Sequence, residues 1–134
     1  MSARRVLIAD DDPTFVNVMR LRCRFLGLEV QTAPDAMFAL TLVHKDPPAL
    51  VLLDVSMPAG NGLAVCDMLA SDQRLCHIPV IVITGRLDEQ TVQRCEALRI
   101  RCFLKTTELW DRLKPIICEL CGISAETGIV PTWQ

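Results

Sequence analysis

Acidic, hydroxyl and basic side chains follow four apolar stretches of this sequence. Asp10–Asp12 follow "VLIA", Asp54 follows "ALVLL", Thr84 follows "IPVIVI" and Lys105 follows "CFL". Clustered carboxylates repel one another and raise one another's pKa values, and a hard divalent cation such as Mg²⁺ relieves that repulsion. A hydroxyl and an ammonium group opposite the cation neutralise the oxygens of an incoming phosphoryl group. These residue types point to metal-assisted phosphoryl transfer, with a carboxylate available as nucleophile.

This chemistry requires the four stretches to end at one edge of the fold. Short, β-branched, non-alternating runs are typical of strands buried on both faces. We predict five strands, at Arg5–Ala9, Leu28–Thr32, Ala49–Leu53, Ile78–Ile83 and Arg101–Leu104. We predict five intervening helices, at 13–27, 34–45, 62–71, 89–98 and from 106 or 107 onward. Such alternation predicts a parallel sheet with helices on both faces, whose strands present the active crevice at their carboxyl ends.

Residues at the helix ends and on the helix faces refine this prediction. The predicted N-caps are Asp12, Asn61, Asp88, and Thr106 or Thr107. The predicted buried faces contain Phe15, Val18, Met19, Phe25 and Leu26 in the first helix, and Met37, Leu40 and Val43 in the second. Pro115 lies inside the fifth helix and is expected to kink or interrupt it.

Composition excludes several classes of protein. The chain has 134 residues, a length that suits one domain, and a net charge of −2, which does not suit a nucleic-acid partner. No apolar run approaches the ~20 residues of a membrane span, and "MSARRV" lacks a signal-peptide core, so we expect a cytoplasmic protein. The seven cysteines are expected to be reduced, and Cys118 and Cys121 to pack in the core.

The site pattern resembles the receiver domain of two-component response regulators, including the CheY-like chemotaxis type. The matching segments are "VLIADDDP" (6–13), "LVLLDVSMPAGNG" (50–62), "VIVITG" (80–85) and "FLK" (103–105). The resemblance covers residues 4–121 and implies a flavodoxin-like, doubly wound α/β fold with strand order 2-1-3-4-5 and five helices. We expect residues 1–121 to form the receiver domain and 122–134 to be a tail or the start of a linker.

The resemblance implies a role for each acidic residue. Asp54 would be the phosphoacceptor. Asp11 and Asp54 would ligate Mg²⁺ directly, together with the backbone carbonyl of Ser56, and Asp10 would act through a bound water. Such a domain is a signalling module that assists its own phosphorylation and dephosphorylation, rather than an enzyme.

The resemblance also implies roles for the residues opposite the metal. Thr84 would be the switch hydroxyl, Lys105 would pair with Asp54 and then with its phosphate, and Gly85 would leave room for the phosphoryl group. Arg86, two residues after Thr84, can reach over that group and shield it from water; the alternative is that Arg86 is simply solvated. The implied partners are a histidine kinase or histidine phosphotransfer protein, and a downstream effector protein or domain, with neither nucleic acid nor membrane bound directly.

Two positions depart from the family pattern. The family usually has Lys-Pro with a cis peptide bond, whereas Lys105 precedes Thr106, where a cis bond would cost ~3 kcal/mol or more. The family also tends to have an aromatic switch residue three positions before the lysine. That position is Cys102, and Phe103 follows one place later. The surface of the fourth helix, fifth strand and fifth helix is therefore where this chain is least typical.

Three other functions compete with this interpretation. A phosphohydrolase of the aspartyl-phosphate type needs a second acid two residues after the nucleophile, where this chain has Ser56. A degenerate receiver would bind a partner without phosphorylation, and the unusual fifth strand keeps that alternative open. A flavin-binding domain would need a hydroxyl- and glycine-rich phosphate loop after the first strand, and the acids at 10–12 repel phosphate.

Overall fold

Five parallel strands form a single sheet in the order β2-β1-β3-β4-β5. The structure is a computed structural model that describes residues 4–56 and 62–124. The strands are β1 Arg5–Ala9, β2 Glu29–Ala33, β3 Leu50–Leu53, β4 Val80–Thr84 and β5 Arg101–Leu104. The helices are α1 Pro13–Phe25, α2 Ala36–Lys45, α3 Gly62–Ser71, α4 Glu89–Leu98 and α5 Leu109–Cys121. The flavodoxin-like α/β prediction is confirmed, with strand limits shifted by two residues at most.

The sheet is buried because each face carries its own apolar core. Leu7, Val51 and Leu53 point toward α2, α3 and α4, whereas Ile8 and Leu52 point toward α1 and α5. Alternate residues of each strand thus serve opposite faces. Burying one such side chain contributes about 1.5–3 kcal/mol, so the central strands are held firmly from both sides.

The exposed apolar stripe of α1 corrects one prediction. Met19, Cys23 and Leu26 are buried, but Val18 and Phe25 are 42% and 64% exposed. The helix carries two apolar stripes, and the sheet buries the one that contains Cys23. Met37 of α2 was likewise expected to face inward and is 53% exposed, because Ala36, Ala39 and Val43 form the buried face of that helix.

The helix ends confirm two predicted caps and overturn another. Asp12 and Asp88 accept backbone hydrogen bonds as the N-caps of α1 and α4, whereas Asn61 lies outside the described residues. Neither Thr106 nor Thr107 caps α5, which begins after Glu108 without a side-chain cap. Residue 107 instead lies in a turn, and the helix begins at Leu109, one or two residues later than those caps would place it.

Pro115 was expected to kink or interrupt α5, and the helix is not interrupted. The helix runs unbroken from Leu109 to Cys121 with Pro115 inside it. Pro115 has no N–H to donate to the carbonyl of Asp111. Both residues are exposed, so water can satisfy that carbonyl and the helix tolerates the proline.

All seven cysteines lie in the described ranges and are free thiols, as expected. Cys118 and Cys121 are buried in the core between the sheet and α5, which confirms their packing role. None of the helices in the described ranges combines the length and apolar character that a membrane crossing would need.

Candidate functional site at the carboxyl edge of the sheet

The strand register brings the predicted site residues to one edge. The backbone N–H of Asp10 donates to β2 at 3.0 Å, and that of Asp54 donates to the last residue of β1 at 2.9 Å. The N–H of Lys105 donates to the carbonyl of Thr84 at 2.8 Å. Each functional residue thus continues the sheet hydrogen bonding by one step beyond its strand, which fixes its backbone.

Three carboxylates converge at this edge. Asp10, Asp11 and Asp54 each offer an oxygen within 4.8 Å of the other two. Asp10 and Asp54 are each only 4% exposed, whereas Asp11 faces solvent. Burial raises the pKa of Asp10, and the neighbouring Asp54 raises it further, while Lys105 and the N–H of Asp12 act in the opposite direction. The site therefore carries more buried negative charge than its own cation neutralises.

Lys105 is the cation of the site. Its Nζ lies 2.8 Å from Oδ2 of Asp10 and 3.4 Å from Oδ2 of Asp54. Burial lowers the pKa of Lys105, but the two carboxylates outweigh burial and raise it overall. The predicted contact with Asp54 is present, and the closer contact with Asp10 was not predicted from the sequence.

The two oxygens of Asp54 have different environments. Oδ1 accepts hydrogen bonds from the N–H and the hydroxyl of Ser56, at 2.8 and 2.7 Å, whereas Oδ2 faces Lys105. Sequence reasoning assigned Ser56 only through its backbone carbonyl and missed this hydroxyl. An Asp followed two residues later by Ser is a common side-chain turn, and that signal was available in the sequence.

A close contact explains the glycine with which α3 begins. A Cβ atom on Gly62 would lie 2.7 Å from Cα of Val55 and 3.1 Å from the carbonyl oxygen of Asp54. The first residue of α3 therefore packs directly against the backbone that carries Asp54. Met57, Pro58, Gly60 and Asn61 of the loop after β3 lie outside the described residues.

The hydroxyl of Thr84 is engaged with its own loop. It accepts a hydrogen bond from the N–H of Arg86 at 3.1 Å and donates to the carbonyl of Arg86 at 3.0 Å. A Cβ atom on Gly85 would meet no heavy atom within 4 Å, so there is open space beside it. Arg86 is exposed. The structure therefore brings Asp10, Asp54 and Lys105 into direct contact and leaves Thr84 turned toward its own loop.

The acidic cluster fits a hard divalent cation. Oδ2 of Asp10 is buried and receives no hydrogen bond of normal geometry, although the ammonium group of Lys105 lies beside it. A buried carboxylate oxygen with unused acceptor capacity, next to two further carboxylates, is a donor set that suits Mg²⁺.

The segment around Lys105 differs from the family pattern in the expected places. The described residues contain no cis peptide bond, so Lys105 and Thr106 are joined in trans. Cys102 packs on the α4 side of the sheet, whereas Phe103 packs on the α1 and α5 side. The one-residue offset of the aromatic therefore moves it to the opposite face of the sheet.

Comparison with known proteins gives a consistent result. The family model described as "Response regulator receiver domain" matches residues 6–114. A probable transcriptional regulator, ycf27, of Galdieria sulphuraria is 41% identical over 81 residues, which cover 60% of this chain and 31% of that protein. The chain spans no more than about a third of the curated relatives it matches first.

Two solved structures share the fold at low identity. The response regulator TrrA of Thermotoga maritima, in complex with Mg²⁺-BeF, superposes with a TM-score of 0.75 at 23% identity, covering 87% of this chain and 98% of that one. The receiver domain of the sensor histidine kinase PA1611 of Pseudomonas aeruginosa, with a coordinated magnesium ion, superposes with a TM-score of 0.77 at 18% identity. The match covers 90% of this chain and 99% of that one. With this fold and the match of the family model, the chain belongs to the response regulator receiver domain family.

Proposed function

We propose that this receiver domain takes a phosphoryl group on Asp54. The donor is the phosphohistidine of a histidine kinase or histidine phosphotransfer protein, or a small acyl phosphate. The P–N or P–O bond of the donor breaks as a P–O bond to a carboxylate oxygen of Asp54 forms. The observation that carries the proposal is the buried Asp54 carboxylate, paired with Lys105 and clustered with two more acids.

Mg²⁺ is the proposed cofactor. Asp11 and Asp54 would hold it directly with the backbone carbonyl of Ser56, and Asp10 would hold it through a water. When bound, it would neutralise negative charge on the acids and on the incoming phosphoryl group. The Thermotoga and Pseudomonas structures contain magnesium in the same fold, and the free acceptor capacity of Asp10 supports the same role here.

The chain's own side chains supply the remaining interactions. Lys105 neutralises the phosphoryl oxygens, because its ammonium group already faces Oδ2 of Asp54. Thr84 hydrogen-bonds the phosphoryl group after its two bonds to Arg86 break, and Gly85 leaves the space that the group needs. Arg86 shields the product from water, so Arg86→Ala is expected to shorten the lifetime of the phosphorylated protein.

Phosphorylation then changes the partners that the domain binds. Movement of Thr84 draws the loop after β4 inward and shifts the surface of α4, β5 and α5 toward a partner-binding form. The partner is a downstream effector protein or domain in the cytoplasm, and neither nucleic acid nor membrane is bound directly. The transcriptional role in the name of the Galdieria relative is not assigned to this chain, which spans 31% of that protein.

Intact-mass spectrometry tests the proposal. The protein is incubated with Mg²⁺ and acetyl phosphate, with and without a chelator. We expect a gain of one phosphoryl group that requires Mg²⁺ and is absent in Asp54→Asn. Asp88→Asn is the matched control, since it makes the same change at an acid whose helix-capping role Asn also fills.

Two outcomes would overturn the proposal. The first is no mass gain in the wild type under conditions in which a known receiver is phosphorylated. The second is a gain that persists in Asp54→Asn. An unaltered partner interaction in Asp54→Ala would instead identify a phosphorylation-independent module.

A further inference from the structure

Lys105 has a third neighbour besides the two carboxylates. Its Nζ lies 4.4 Å from the centroid of the Phe15 ring, within the range of a cation–π interaction. The Lys105 side chain is 21% exposed, and the Phe15 ring is half-buried against the core between the sheet and α1. The ammonium group is thus held between an aromatic face and two acids.

The segment that supplies the acids also places the ring. Asp12 accepts hydrogen bonds from the N–H groups of Thr14 and Phe15, at 3.0 and 3.4 Å, and so fixes the first turn of α1. The N–H of Asp12 in turn donates to Oδ1 of Asp10 at 2.9 Å. One short stretch, residues 10–15, therefore sets both the carboxylate and the aromatic face that meet Lys105.

We propose that Phe15 is a positioning residue that keeps the Lys105 ammonium group at the acceptor carboxylate during phosphoryl transfer. This inference rests on the proposed function. An aromatic ring suits this task because it attracts the cation without a net charge. It therefore competes neither for the metal at Asp10 nor for the phosphoryl group at Asp54, whereas a third carboxylate would do both.

The backbone around Lys105 does little to restrict its side chain, so the Phe15 ring is needed to position the ammonium group. A lysine side chain has large rotamer freedom, and the hydrogen bond from the backbone N–H of Lys105 to the carbonyl of Thr84 fixes its backbone but not its side chain. The next residue, Thr106, is exposed and joined in trans, so no proline ring stiffens the chain there. If a metal engaged Asp10 and the phosphoryl group engaged Asp54, the Phe15 ring would stay beside the ammonium group, because the ring binds neither.

The experiment compares two substitutions at position 15 with a control on the same helix. Phe15→Leu removes the aromatic face but keeps an apolar side chain, and Phe15→Tyr keeps the face. Phe25→Leu makes the same change at an exposed ring of α1 for which no contact with Lys105 is seen among the described residues. Phosphorylation rates with acetyl phosphate and Mg²⁺ are measured for all four proteins, together with proton NMR shifts of the Lys105 side chain.

We expect Phe15→Leu to be phosphorylated roughly threefold to tenfold more slowly than the wild type. Phe15→Tyr and Phe25→Leu should stay within about twofold of the wild-type rate. The Lys105 protons nearest Nζ should show an upfield ring-current shift in the wild type and Phe15→Tyr, and lose it in Phe15→Leu.

The inference and the proposed function fail in different ways. An unchanged rate in Phe15→Leu, or equal losses in the Leu and Tyr variants, overturns the positioning role while phosphorylation at Asp54 stands. Absence of the ring-current shift in the wild type overturns it without any substitution. A wild type that takes up no phosphoryl group refutes the proposed function, and with it the positioning role.

Discussion

The two sides of the carboxyl edge are built differently. On one side, Asp10 and Asp54 follow β1 and β3, strands whose residues are almost all buried. On the other side, Lys105 follows β5, an edge strand with two exposed and two half-buried residues. Beyond Lys105, α5 starts without a side-chain cap, whereas α1 starts on the Asp12 cap.

We propose that this contrast separates the carboxylates, which stay in place, from the surface that shifts on phosphorylation. Asp54, the proposed acceptor, follows a strand that is packed on both faces, which keeps its position fixed. The β5 edge has few fully buried apolar side chains, and such regions open with a smaller free energy than the core does. The partner-binding surface that we propose has to shift at little cost, and the β5 edge meets that requirement.

Core truncations are expected to show the largest difference between the two sides. Leu52→Ala in β3 removes a side chain that is 2% exposed and should lower the free energy of unfolding by about 2–5 kcal/mol. Leu104→Ala in β5 removes one that is 38% exposed and should cost less than about 1 kcal/mol. Urea unfolding measures both. Equal losses would show that β5 is packed as tightly as β3.

Loss of the site cation is expected to have the next largest effect. Lys105→Met leaves Asp10 and Asp54 without their cation and should lower the free energy of unfolding by about 1–3 kcal/mol. Lys45→Met, at an exposed lysine of α2, is the control and should change it by less than about 0.5 kcal/mol. Thermal unfolding with and without Mg²⁺ should show a larger stabilisation by the metal in Lys105→Met than in the wild type. Equal stabilisation by Mg²⁺ in the wild type and in Lys105→Met would contradict the pairing of Lys105 with Asp10 and Asp54.

The loss of stability at alkaline pH should differ between a thiol in the core, Cys23 of α1, and a thiol of β5, Cys102. Burial raises the pKa of the Cys23 thiol from 9.0 to about 12, so the unfolded chain loses this proton first as the pH rises. Stability is therefore lost between about pH 9 and pH 12, and Cys23 accounts for about 1 kcal/mol of the loss at pH 10. Chemical unfolding at pH 8 and pH 10 should show a loss smaller by that amount in Cys23→Ala.

The thiol on the β5 side provides the contrast. Burial also raises the pKa of Cys102 to about 12, but this residue is only half-buried. Its substitution by Ala should reduce the pH-dependent loss by less than Cys23→Ala does. An equal reduction of the pH-dependent loss in Cys23→Ala and Cys102→Ala would contradict the difference in burial between the two thiols.

The helix caps should give the smallest effect. Asp88→Ala removes the acceptor for the N–H of Thr91 at the start of α4 and should cost about 1 kcal/mol. Thr107→Ala should cost less than about 0.5 kcal/mol, because Thr107 does not cap α5. Urea unfolding distinguishes the two. A loss of 1 kcal/mol in Thr107→Ala would restore the capping role that the sequence predicted.

The sequence predicted the positions of the site residues best where a polar side chain directly follows a buried apolar run. Apolar runs ending on Asp10, Asp54 and Lys105 placed all three at one edge, because parallel strands share their carboxyl ends. The order of the strands came from the family resemblance. Sequence patterns could not supply distances, so the closer approach of Lys105 to Asp10 and the contact of Phe15 with Lys105 were not predicted.

Two of the wrong predictions concern side chains for which the sequence offers equivalent choices. α1 carries apolar residues on two stripes, and only packing against the sheet decides that Cys23 is buried and Phe25 is not. Two threonines before α5 matched a capping pattern, but a turn places the helix start after both. In each case tertiary packing decided between local alternatives of similar energy.

Chemical location of the phosphoryl group is the most direct test of the central claim. The protein is phosphorylated with acetyl phosphate and Mg²⁺, and the acyl phosphate is then reduced with borohydride, which converts the modified aspartate to homoserine. Peptide sequencing by mass spectrometry should find homoserine at position 54 and unmodified aspartate at positions 10 and 11. Homoserine at position 10 or 11, or phosphate on Ser56 or Thr84 instead, would contradict the assignment of Asp54 as the phosphoacceptor.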